Sequence, residues 1–122
     1  MGAESQDAGR DNPALVIKLD EQIVRARESA QWKSGDRVAV PIAKRRDLSV
    51  TLLMLRAGAR LAEHAAQRSI TVQVWSGAVN FAAAGAVHVL RAGMICVLDH
   101  QVPHAVEALE ESVLLLTAGL GG

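Results

Sequence analysis

From Arg37 to Thr117 the chain carries a turn signal about every eight to twelve residues, and this spacing limits the fold to a sandwich or barrel of short strands. Lys33–Asp36, Ala57–Ala59, Ser76–Gly77, Ala83–Gly85 and Ala92–Gly93 read as turns, and Asp99–Pro103 as a loop. Between them lie runs too short for helices: Arg37–Ile42, Ser49–Leu55, Ile70–Trp75, Val79–Phe81, Ala86–Leu90, Ile95–Leu98, Ala105–Ala108 and Ser112–Thr117. Ser49–Leu55 is apolar through most of its length, which predicts a strand covered on both faces. Pro41 cannot donate to a ladder, so it marks an edge strand or a bulge. The expected class is all-β, an antiparallel barrel.

The N-terminal part differs. Residues 1–13 are small and polar and read as a disordered tail. A single domain is expected over 14–118, followed by a Gly-rich tail. Leu15–Ile17 reads as a short strand. Asp20 is placed to cap a short helix over Glu21–Gln31, with Ile23, Ala26 and Ala30 on one side. Trp32 follows, placed to anchor that helix on the barrel.

Half of the 122 residues are apolar, but the only aromatics are Trp32, Trp75 and Phe81, so the core must be aliphatic. Thirteen basic residues balance thirteen acidic ones, so the net positive field that nucleic-acid binding uses is missing. Lys44-Arg45-Arg46 reads as a solvated turn. No apolar run reaches the roughly 20 residues that span a membrane. The first residues lack the apolar region of a secretory signal, and Gln6 breaks the match to a myristoylation motif. Cys96, the single cysteine, lies inside an apolar run and reads as a small buried hydrophobe. A cytoplasmic protein with no nucleic-acid or membrane partner is expected.

Two segments carry a more specific pattern: GARLAEHAAQRSITVQVWSG over Gly58–Gly77 and GMICVLDHQVPH over Gly93–His104. They resemble the two motifs of the cupin family, G-x5-H-x-H-x3/4-E-x6-G and G-x5-P-x-G-x2-H-x3-N. Gly58, His64 and Gly77 stand at matching positions of the first, and Gly93 and His104 at those of the second. The resemblance covers roughly Thr51 to Thr117. It implies a double-stranded jelly-roll barrel of RmlC-like type, often a homodimer.

The departures bear on function. Ala66 stands at the second histidine position of the first motif and Ile70 at its glutamate. In the second motif Asp99 replaces the proline, Gln101 the glycine and Ala108 the asparagine. Metal-binding cupins use three histidines and the glutamate, so only His64 and His104 carry over. Two imidazoles hold a divalent transition metal (Fe, Mn, Ni or Zn) weakly unless another ligand joins them. His100 and Gln73 are the candidate substitutes, although regular alternation from position 70 aims Gln73 the other way. His88 needs a partner if it faces inward, and Glu63 reads as a surface charge near Arg60.

Three functions follow. One is a metal-dependent small-molecule enzyme of dioxygenase or isomerase type. Another is a binding protein whose aliphatic pocket (Ile70 and Val72, with Leu53, Leu55, Val74 and Val97) orients a small molecule through His64 and His104. The last is a structural dimer with a filled barrel, paired through Trp75 and the outer positions of Ser49–Leu55. The sequence favours a barrel pocket at the two histidines and assigns no particular activity.

Overall fold

A computed structural model describes residues 12–120; the tail expected over 1–13 falls almost wholly outside them. Among the described residues two short helices precede nine strands: α1 (Leu19–Glu28), α2 (Ala30–Ser34), β1 (Arg37–Lys44), β2 (Leu48–Leu55), β3 (Arg60–His64), β4 (Ile70–Ser76), β5 (Ala78–Ala83), β6 (Ala86–Arg91), β7 (Ile95–Leu98), β8 (His104–Ala108) and β9 (Ser112–Gly119). The strands form two antiparallel sheets, ordered β1-β2-β9-β4-β7 and β3-β8-β5-β6. No helix among the described residues is long and apolar enough to cross a membrane.

The five-stranded sheet is buried on both sides along β2. Leu53 and Leu55 point into the space between the sheets and join Val72, Val74, Phe81, Val106 and Leu114 in the main core. Leu52 and Met54 point the other way and pack with Val38, Val113, Ala26 and Trp32 in a second cluster beneath the helices. This explains the near-continuous apolar run of β2. It also places Leu52 and Met54, two of the outer positions of Ser49–Leu55, beneath the chain's own helices. Trp32 is the anchor: it is 5% exposed, the Arg56 guanidinium lies 4.2 Å from its ring, and Arg56 Nη2 donates to its carbonyl.

The single helix expected over 21–31 is two. Ser29 has extended backbone, its Oγ donates to the Ala26 carbonyl at 2.7 Å, and the same oxygen accepts from Trp32 N–H at 3.2 Å. One hydroxyl thus ends α1 and caps α2. Asp20 lies within the first turn of α1 rather than capping it, and Ala30 is exposed. Leu15–Ile17 forms no strand, and Val16 is 90% exposed. Pro41 sits at a register shift in β1, the edge strand of its sheet. β9 continues through residues read as a tail. β3 was not foreseen: Arg60–His64 has little β-propensity, and pairing with β8 supplies what the residues lack.

The β5–β6 hairpin turns through Ala84 and Gly85, with φ of 52° and 77°. Both central residues in the left-handed region make a type I′ turn, in which asparagine is far better suited than alanine to the first place. Ala84→Asn is expected to stabilise the fold by about 0.5–1 kcal/mol, read as a higher urea midpoint at unchanged slope.

Candidate functional site at the barrel mouth

The inner face of the four-stranded sheet is laid out in rows. His64, His104, Ala83 and Ala86 occupy the row at one end, and Leu61, Val106, Phe81 and His88 the next. His104 opens β8 and projects to the same side as Val106 and Ala108, which alternate with it as buried residues. His64 reaches this row through an irregularity. Leu61 pairs with Val106 and His64 with His104, so three steps on β3 match two on β8. Strict alternation from Leu61 would turn His64 outward. The extra residue, a β-bulge, turns it in.

The two rings meet with centroids 4.2 Å apart and planes at 60°. Phe81 lies against His104 from the core side, nearly parallel at 5.7 Å. His104 is buried and His64 exposed, so the pair bridges the core and the solvent. Each Nδ1 faces the carbonyl oxygen of the residue two before it: His64 that of Ala62 at 2.9 Å, His104 that of Val102 at 3.0 Å. A carbonyl only accepts, so both Nδ1 atoms carry the proton. In the uncharged ring this leaves the lone pair on Nε2. Among the described residues no buried side-chain nitrogen or oxygen lacks a hydrogen-bond partner. His104 Nε2 has no protein partner and therefore opens to solvent at the mouth.

The donor set does not fit the four-ligand metal centre that the motifs describe. Ile70 is in the core, and Gln73 lies on the opposite face of β4 from Ile70 and Val72, with no irregularity before Val74 to reverse it. Alternation has decided against Gln73 as a substitute. His100 is exposed in the turn after β7. Among the described residues no three His, Cys, Asp or Glu side chains gather to hold an ion. Ile70 and Val72 are packed within the core cluster along with Leu53, Leu55 and Val74, while Val97 faces outward at 70% exposure. The aliphatic lining read from sequence is thus core filling, and the accessible part of the site is the mouth. His88 shares the inner register with Phe81 but stands exposed on the edge strand β6. Glu63 is exposed, and Arg60 pairs with Glu107 at 2.9 Å. Cys96 points inward beside Val72, and burial pushes its thiol up, away from reactivity.

A groove of about 400 Å³ crosses the other side of the same sheet, over Ala62, Ala82 and Ala105 and beside Arg60 and Glu107. These side chains project away from the imidazole pair. Sequence reading missed the groove because its lining, three alanines with Asn80 and Val87 among others, comes from four strands and becomes a feature only once the register sets them side by side.

No protein-family model matches the sequence, and no curated protein does. Solved structures match over most of the chain. A variant of salicylate 1,2-dioxygenase from Pseudoaminobacter salicylatoxidans aligns with a TM-score of 0.76 at 18% identity, over 91% of this chain and 37% of that one. A cupin-2 domain containing protein from Shewanella frigidimarina aligns with a TM-score of 0.69 at 19% identity, over 86% of this chain and 95% of that one. A cupin 2 conserved barrel domain protein from Leptotrichia buccalis shares 26% identity at a TM-score of 0.66, over 71% of this chain and 42% of that one. With two antiparallel sheets, a helical N-terminal edge and these neighbours, the chain has the cupin fold, the RmlC-like β-barrel that its two motifs imply.

Proposed function

We propose that this protein is a binding cupin whose recognition point is the His64–His104 pair. It takes a small molecule that donates hydrogen bonds to, or coordinates through, the two Nε2 atoms. One observation carries this reading: both Nδ1 atoms are tied to backbone carbonyls, so both acceptors are fixed in orientation and free of protein partners. A divalent transition metal is a second, weakly held occupant of the same atoms, since two imidazoles leave most of its coordination to water or ligand. The aliphatic packing behind the pair argues against a deep substrate chamber.

The test is thermal stability and metal content of untagged protein, beside the His64→Ala/His104→Ala double variant. Fe(II), Mn(II), Ni(II), Zn(II) and small hydroxylated or amino compounds are added in turn. A compound present at about 100 times its dissociation constant stabilises by about 2.7 kcal/mol, and that shift should vanish in the double variant. One metal per chain that survives chelation and is lost in the variant would replace this reading with the metalloenzyme. No response to any addition would leave a filled barrel with a structural role.

A further inference from the structure

The inner face of the five-stranded sheet carries two polar side chains that the aliphatic core does not account for. Regular pairing of β2 with β9 puts Ser49 and Thr51 on the same side as Leu53 and Leu55, which face the other sheet. Ser49 stands in register with Ala118 and Thr51 with Leu116, and Ile70 and Val72 continue these two rows on β4. Both residues are half-buried. Neither hydroxyl has a hydrogen-bond partner in the protein, and no buried side-chain oxygen among the described residues lacks one, so both open to solvent.

These hydroxyls face the imidazole pair across the barrel. β4 packs against β6 at one side of the sandwich. At the other, Arg37 Nη2 of β1 donates to the Arg60 carbonyl of β3 at 2.9 Å. β2, next to β1, therefore lies over the β3 side of the second sheet. Leu55 pairs with Arg37 at that end. Thr51 is four residues from Leu55 along β2 and His64 four from Arg60 along β3, so both reach the level of the mouth. The mouth thus has two walls. One presents the Nε2 lone pairs, and the other presents hydroxyls that donate or accept.

The ligand class follows from these groups. With both rings uncharged, whatever binds the pair must bring a proton. A carboxylate has none to give, and the one lysine or arginine in these rows, Lys44 beside Ser49, stands exposed on the edge strand β1. An ammonium brings protons and also a charge, but no Asp or Glu stands in the rows of Ser49, Thr51, His64 or Leu61 to receive it, and an unpaired charge is costly there. A hydroxyl donates to Nε2 and still accepts from serine or threonine. Building on the reading of the pair as the recognition point, we propose that the site takes a polyol. Adjacent hydroxyl groups donate to His64 and His104, and further oxygens of the same molecule bond Ser49 and Thr51.

The test reads the nitrogen-15 signals of the imidazole Nε2 atoms in the full chain at pH 8. A melting shift would not serve, because polyols stabilise any protein by exclusion from its surface. Erythritol, xylitol and D-glucose are the probes, with acetate as the acid and methylamine as the amine. At least one polyol should move both Nε2 signals saturably, and acetate and methylamine should move neither. Thr51→Val and Ser49→Ala should each raise the polyol's dissociation constant about fivefold, as the loss of one hydrogen bond does. Their urea midpoints should be unchanged or higher, since neither hydroxyl bonds the protein. Polyol binding indifferent to both variants would overturn the hydroxyl wall and leave the pair as the recognition point. Saturable acetate or methylamine binding with no polyol response would overturn the ligand class and again leave the pair. Silence of both signals toward all five probes would overturn the proposal, and silence toward the metals as well would take the pair reading with it.

Discussion

Gly77→Ala is expected to destabilise the protein by about 3–5 kcal/mol. Gly77 has φ of 90°, and a Cβ there would lie 2.4 Å from the Glu111 carbonyl oxygen, 2.4 Å from Ser112 Oγ and 2.7 Å from Ser112 Cα. None of these can yield. Ser112 is fully buried, and its hydroxyl accepts from Ala78 N–H at 3.1 Å and meets the Glu110 carbonyl at 2.8 Å. That hydroxyl fastens the β4–β5 turn to the β8–β9 turn, so the methyl group adds backbone strain, a clash and a broken buried clamp together. Gly85→Ala is the control. Its φ is 77°, but an added Cβ meets nothing within 4 Å, so only the left-handed penalty of about 1–2 kcal/mol remains. Urea midpoints of the two variants at equal slope should differ severalfold in their loss. Equal losses would mean that the clamp can move.

Phe81→Ala is the other large effect, a loss of about 3–5 kcal/mol. Phe81 is fully buried and sits between the aliphatic core and the His104 ring. Its removal opens a cavity and leaves His104 without its backing plate. Phe81→Leu separates these consequences. It keeps most of the volume at a cost of about 1–1.5 kcal/mol while losing the flat ring contact. Ligand or metal response at the mouth should therefore weaken more in Phe81→Leu than its stability loss accounts for. An undiminished response would show that the Nδ1 bond to Val102 alone orients the imidazole.

Much of this architecture is legible in the sequence because it is written in local chemistry. The turns announce themselves through glycine and through breaks in apolar runs, and β2 shows its two buried faces as an unbroken apolar stretch. Ile70 in place of a glutamate foretells a core position rather than a ligand. The rest depends on pairing. β3 has no strand propensity of its own and exists because β8 lies beside it. Ser29 divides the helix through a hydroxyl serving two partners, a role no single propensity expresses. Leu15–Ile17 has the composition of a strand but pairs with no other strand. At the site, the resemblance to the two cupin motifs brought His64 and His104 forward as a pair. Their tethered tautomers, the backing by Phe81 and the outward aim of Gln73 required the register.

The bulge between Leu61 and His64 ties the site to a backbone irregularity as well as to residue identity. Deleting either Ala62 or Glu63 would leave His64 two residues from Leu61, so a regular strand would still aim it inward opposite His104. A relative with both histidines and a one-residue shorter β3 would thus keep the barrel and the pair with no bulge at all. Comparing such chains by motif spacing would score the shorter one as lacking the first histidine, although both bring the two imidazoles together.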